Sequence, residues 1–318
     1  MTSLDKTLDG INARWGEGTI MRLGEKRVLD VKSISTGCPN LDEITGVGGI
    51  PLGRVTEISG NESSGKTTIC LQAIANAQHS GKSAAIIDSE FALDTDYAHA
   101  LGVEVDALLL SQPQTGEQAL EVADMLIRSK EVVLVIIDSV AGLLPRAMLE
   151  GDYGDASYGG VARLMSQSLS KLKQAASEND VALIFTNQLR VDIGGYNPVP
   201  GQKAMKTFGG EALKFFSDLR IRLSRKKGDE KQQLIGARII KNKLSPPFRT
   251  CEFTIRYGVG TDAIAGLLDV AIDRGIIEHK GGGNYTYGEH KWRGKETVLE
   301  SLRDDEKLCS ELTERIRK

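Results

Sequence analysis

No stretch of this sequence is apolar for long enough to cross a bilayer. Its longest such run, Val132 to Ile137, is the length of a strand, far short of the ~20 residues a spanning helix needs. The first residues, Met1-Thr2-Ser3-Leu4-Asp5-Lys6, contain no apolar signal core, so a cytoplasmic protein with no membrane partner is expected. Cysteine is sparse: Cys38, Cys70, Cys251 and Cys309 are scattered and form no C-x-x-C pair, which argues against a disulfide framework or a zinc site. The four histidines lack ligand spacing. Strong charge of one sign is also missing, since the net charge is -3, so any polyanion-binding surface has to be gathered locally. No internal repeat or low-complexity tract is present.

What remains is a chain of 318 residues, 40% apolar, long enough for one large domain and a smaller companion. Leu4, Leu8, Ile11 and Trp15 form one helical stripe near the start. A single short helix cannot stabilise itself, so this stripe must pack on its own chain or on a neighbour. From about residue 28, strands alternate with helices: strands over Arg54–Ile58, Ser83–Asp88, Val132–Asp138 and Val181–Thr186, helices over Thr67–Gln78, Gly116–Ser129 and Gly160–Ser177. That alternation predicts an α/β fold with a mainly parallel sheet covered on both faces. Asp218–Ser224, Ile235–Lys241 and Cys251–Tyr257 read as an antiparallel extension. Beyond a boundary near residue 258 the composition shifts to a small α/β module with glycine turns at Gly281–Gly283. The expected organisation is therefore 1–27, 28–258 and 259–318.

The segment Gly60-Asn61-Glu62-Ser63-Ser64-Gly65-Lys66-Thr67 fits G-x-x-x-x-G-K-[ST], follows a strand and opens a helix. Its glycines let the backbone curl so that successive amides face the phosphates of a nucleotide. Lys66 adds a charge at the β- and γ-oxygens, Thr67 offers a hydroxyl to Mg2+, and the next helix aims its N-terminus at the phosphates. Asp138, ending an apolar strand, is the second expected Mg2+ ligand. Two further strand ends supply Glu90 and Gln188. Glu90 is the better candidate base, because a carboxylate accepts a proton and an amide does not; Gln188 can hydrogen-bond a γ-phosphate and report its presence.

Together with Gly18–Gly24, Ser35–Gly37, Glu62–Thr68, Ser111–Pro113, Thr115–Leu120, Asp138–Ala141, Ile240–Lys243 and Pro247-Phe248, these elements resemble the bacterial RecA recombinases over almost the whole chain. The resemblance implies a RecA-like P-loop ATPase core, an N-terminal linker helix and a small C-terminal domain. It implies ATP and Mg2+ as cofactors, single- and double-stranded DNA as partners, and head-to-tail self-assembly into a helical filament that catalyses strand exchange in recombination and repair. It assigns Glu90 as catalytic glutamate, Thr68 and Ser139 as part of the nucleotide site, Tyr97 to adenine stacking and Asp94 to the base and ribose edge. It makes Gln188 the link from γ-phosphate to DNA, and Lys241 and Lys243 cations that reach a neighbour's ATP site. On spacing alone that pair reads as two solvated lysines. Co-protease action on a repressor in the SOS response is allowed by the resemblance.

Two glycine-bounded loops, Gly151–Gly160 and Gly194–Gly210, resemble the family's DNA-binding loops; loops this long in a compact domain are usually functional or disordered. The second carries Lys203, Lys206, Tyr196 and Phe208, suited to phosphate contact and base stacking. Arg163, Gly209, Gly210 and Arg220 complete the expected DNA-binding set. Departures from the family pattern are Asn61 in place of proline, Tyr158 where methionine is familiar, a longer second loop, a short N-terminal helix and no acidic tail at the end. They would fit a divergent or virus-encoded member that loads on DNA readily. Two other classes share the phosphate loop: a ring-forming motor, which should lack the linker helix and the Lys241/Lys243 pair, and a non-catalytic accessory protein, against which Lys66, Glu90, Asp138 and Gln188 argue.

Overall fold

The computed structural model describes residues 2–16, 19–20, 22, 31–151, 159–192 and 204–317. The chain divides into two compact units, Met1–Lys32 and Ser33–Lys318.

In the first unit, residues Ser3–Trp15 form a helix. Its N-terminus is closed by a reciprocal pair, in which Thr2 accepts from the Asp5 amide and Asp5 accepts from the Thr2 amide. The helix buries none of its residues, and Leu4 and Trp15 are 57% and 69% exposed.

The second unit is built on one large sheet. Its strand order is Gly260–Thr261, Thr250–Arg256, Gln232–Asn242, Leu219–Gly228, Val55–Gly60, Ala182–Val191, Val132–Asp138, Ser83–Asp88 and Leu109–Ser111. The six strands from Leu219–Gly228 to Leu109–Ser111 run parallel, and the remaining three add on antiparallel. Alternate residues of the parallel strands supply two separate cores, as the two-residue period of a strand requires. Ile58, Ile86, Ile136 and Ile184 face the Lys66–His79 helix side. Val55, Ile87, Ile137 and Phe185 face the side covered by helices Gly116–Ser129 and Gly160–Asn179. A third core, from Leu267 to Leu312, belongs to the last segment, where three helices accompany a three-stranded antiparallel sheet over Glu278–Arg293.

Strands Ser83–Asp88 and Val132–Asp138 and helix Gly116–Ser129 have the bounds the sequence predicts. The strand expected to stop at Thr186 continues to Val191, because Met205–Thr207 pairs with Leu189–Val191 and satisfies its backbone. Gln188 and Arg190 therefore sit within a strand.

Candidate nucleotide site and DNA-facing elements

The phosphate loop leaves the sheet at its centre, where the fully buried strand Val55–Gly60 ends. Two loop residues take positive φ, Ser63 at 56° and Gly65 at 86°. A Cβ at Gly65 would lie 2.4 Å from Ile255 Cδ1, and one at Gly60 would lie 2.8 Å from the Leu223 carbonyl oxygen, so both positions are closed to side chains. Lys66 Nζ donates to the carbonyls of Gly60 (3.3 Å) and Asn61 (2.9 Å), and burial lowers its pKa against the pull of Asp138 and Glu90. The Ser64 hydroxyl is buried with no hydrogen-bond partner, and no side chain caps the helix that starts at Lys66. A polyanion with oxygens for an orphaned hydroxyl, uncapped amides and a displaceable ammonium fits this cradle. Asn61, Glu62 and Ser63 are exposed along its rim.

Asp138 comes to the same place from two strands away. Its carboxylate accepts from Thr67 Oγ1 at 2.9 Å and from Thr186 Oγ1 at 2.5 Å; burial raises its pKa, and these hydroxyls oppose the rise. Thr67 and Asp138 thus stand together as the sequence predicts. Among the described residues no group of three or more His, Cys, Asp or Glu could hold a metal, so a cation here would complete its shell with nucleotide oxygens and water.

Glu90 is exposed beside them. Its Oε1 accepts from Ser139 Oγ at 2.5 Å and from Gln188 Nε2 at 3.2 Å. Asp88 shapes the turn that presents it: Oδ1 accepts the Glu90 amide, while Oδ2 accepts the Leu93 amide and Gln112 Nε2. Asp94 caps helix Thr95–Ala100 through the Tyr97 amide, and the Tyr97 hydroxyl shares a hydrogen bond of 2.9 Å with Thr68 Oγ1. Thr186 and Asp88 were missed as site residues, although a polar residue ending an apolar strand was signal enough for both.

Lys241 and Lys243 lie at the other edge of the sheet. Lys241 pairs in register with Arg220, and Arg220 with Glu57, near the start of the strand whose far end is Gly60. Glu57 stands three positions before Gly60, about 10 Å at the strand rise. Neither lysine approaches the loop of its own chain: Lys241 Nζ donates to the carbonyls of Lys214 and Phe215, and Lys243 Nζ is 3.4 Å from Asp218.

The expected DNA-binding residues divide. Arg163 is exposed in the first turn of its helix, and Lys206 is exposed with Asp192 at 3.0 Å. Tyr196 and Lys203 fall outside the described residues, as does Tyr158. Gly209 and Gly210 have φ of 81° and 79°, and a Cβ on either would strike Val140 or Ala162 at 2.7 or 2.6 Å, so their glycine is demanded by packing. Two expectations need correction. Phe208 is half-buried against the core with the Arg190 guanidinium 4.3 Å over its ring, so it is not free to stack on a base. Arg220 is buried and ion-paired with the fully buried Glu57, which removes it from any DNA-facing surface. Glu57 also accepts from Asn187 Nδ2 at 2.9 Å, and Asn187 holds both the Phe208 carbonyl and the Phe208 amide. A buried polar clamp therefore fixes the exit of the second loop, and exposed Arg190 is the cation that sequence reasoning overlooked there.

The family model of the RecA N-terminal domain matches residues 2–262. A Protein RecA of Frankia casuarinae is 47% identical over 324 residues, spanning 99% of this chain and 92% of its own. Proteins of the same name from Salinispora tropica and Pseudarthrobacter chlorophenolicus are 46% and 47% identical, covering 99% and 98% of this chain and 90% and 88% of theirs.

Proposed function

Because the chain belongs to the RecA family, a recombinase family of homologous recombination and DNA repair, we propose that it hydrolyses ATP in a filament on single-stranded DNA and uses that cycle in strand exchange. ATP with Mg2+ would supply a γ-phosphoryl group activated for transfer to water. The chain's own groups would do the rest. Lys66 would exchange the loop carbonyls for phosphate oxygens, and the amides of Gly60–Gly65 would join it. Thr67 and Asp138 would hold the cation; Tyr97 and Asp94 would border the base. Glu90 would orient the attacking water and take its proton, with Ser139 fixing the carboxylate.

The observation that carries the reading is the 3.2 Å hydrogen bond from Gln188 to Glu90. Gln188 belongs to the strand that leads into the second loop, so a change at the loop can reach the catalytic carboxylate through one side chain. Assembly is supported by two features of the chain. The stripe of the Ser3–Trp15 helix is unburied within the chain, and Lys241 and Lys243 sit too far from their own loop to serve it. Head-to-tail contact would bring each pair to a neighbour's nucleotide, where a cation stabilises the charge of phosphoryl transfer, and such contacts propagate as a helix. DNA contact through phosphates predicts binding to any sequence with a strong salt dependence. No helix among the described residues is long and apolar enough to cross a membrane.

The test is ATP hydrolysis with and without single-stranded DNA, for the wild type and Glu90→Gln. A rate that rises with DNA and falls by about 10²–10⁴ in the variant, with nucleotide binding retained, is expected. Hydrolysis indifferent to DNA would move the assignment to a ring-forming motor, and none at all to an accessory protein.

A further inference from the structure

Near the amino edge of the sheet, Asp218 faces more cation than one carboxylate can match. Asp218 has a side chain only 5% exposed, and its Oδ1 takes both Lys173 Nζ at 2.5 Å and Lys243 Nζ at 3.4 Å. Its Oδ2 accepts the Val55 amide at 3.3 Å. Lys241 turns into the same corner, onto the carbonyls of Lys214 and Phe215. Arg220, the neighbouring cation, is already paired with Glu57. Three ammonium groups therefore crowd one buried carboxylate.

The two lysines on Asp218 are not equivalent. Lys173 comes from within helix Gly160–Asn179, is 29% exposed, makes the short contact and also donates to the Phe216 carbonyl at 2.9 Å. Lys243 comes from just beyond the end of a strand, is 48% exposed and makes the long contact. Burial lowers the Lys173 pKa against the pull of Asp218, and Lys243 lowers it further, so the two ammonium groups compete for the same oxygen. A buried carboxylate stripped of its only cation is strongly destabilising, whereas one that keeps a cation is not.

We propose that Asp218 and Lys173 are positioning residues for Lys243. Asp218 holds Lys243 in the unassembled chain, and Lys173 is the resident counter-ion that lets Lys243 leave for the nucleotide of an adjoining chain. This rests on the trans role of Lys243 given above. When Lys243 swings away, Asp218 stays neutralised by Lys173, and the repulsion between the two ammonium groups is relieved. Without Lys173, departure of Lys243 would strand the carboxylate, so the cation would be retained at home.

The experiment measures DNA-stimulated ATP hydrolysis by the full chain, nucleotide affinity without DNA, and the thermal midpoint, in parallel. Lys173→Met is expected to lower the stimulated rate about tenfold while nucleotide affinity without DNA stays unchanged. Lys173→Arg should keep the rate, and the double variant Lys173→Met/Asp218→Asn should return it to within about threefold of wild type, since the carboxylate that retains Lys243 is gone. A wild-type rate in Lys173→Met, or a double variant as slow as the single, overturns the proposal. Should Lys173→Met not fold, Asp218→Asn decides alone. It keeps an acceptor for the Val55 amide and should reach half-maximal stimulated hydrolysis at a lower protein concentration; a higher one overturns the proposal. Lys243→Ala separates the two readings. Undiminished hydrolysis there removes the trans role itself, whereas loss there with a silent Lys173→Met removes only the counter-ion exchange.

Discussion

Glu57 and Asp218 are both buried carboxylates near the amino edge of the same sheet, and each faces cations from neighbouring elements. Around Glu57 every partner is internal: one oxygen takes Arg220, the other takes Asn187, and Asn187 goes on to both backbone groups of Phe208. Around Asp218 one oxygen takes the Val55 amide and the other takes two lysines, one of them half exposed. The choice of cation follows the task. A guanidinium is a rigid planar fork that fixes its partner, whereas an ammonium on a flexible stem is a point charge that can be handed over. The closed pair anchors the exit of the second loop; the open one leaves a charge available to another molecule.

The contrast is broken most severely at Arg220. Arg220→Ala strands Glu57 in a dry site and should cost about 3–5 kcal/mol in urea unfolding. A loss near zero would mean that water reaches Glu57 and that the pair is not closed. Asn187→Ala removes the clamp while leaving the ion pair, and should cost about 2 kcal/mol, with the Phe208 amide losing its hydrogen-exchange protection. Asp218→Ala leaves cations that can turn to solvent, so about 1.5 kcal/mol is expected, mostly from the unpaired Val55 amide. Salt sharpens the comparison, since added electrolyte should erode the contribution of Asp218 and leave that of Arg220 intact. The smallest effect is at a distant site used as a reference: Thr115→Ala removes the cap of helix Gly116–Ser129 and should cost about 1 kcal/mol, independent of salt.

What the sequence revealed tracks how local the determining physics is. Strand Val132–Asp138 and helix Gly116–Ser129 are bounded by their own residues, and the Gly60–Thr67 loop is a contiguous string whose chemistry needs no distant partner. Strand Ala182–Val191 outran its apolar pattern because its last residues pair with Met205–Thr207, beyond an intervening loop. Arg220 misled for a related reason: an arginine in a strand reads as a surface cation, and the carboxylate that draws it inward is 163 positions away. Phe208 misled because the ring's nearest cation, Arg190, approaches only once the two strands have paired. Lys241 and Lys243 were legible through the family resemblance and not from their spacing. No local pattern marks Lys173 as their companion, since it meets them only where helix Gly160–Asn179 packs beside Asp218.

The Ser3–Trp15 helix is closed by a reciprocal cap at one end and by Gly16 at the other, yet it buries no residue. At 13 residues it is shorter than helices that persist unaided in water. Its caps define where the helix begins and ends, but they do not supply the burial that would hold it. Calorimetry should register that imbalance. If the stripe docks on another copy, association should be accompanied by a negative heat-capacity change and an unfavourable ordering entropy. Deleting the segment before Gly16 should diminish both together, leaving the ATP site of each chain as it was.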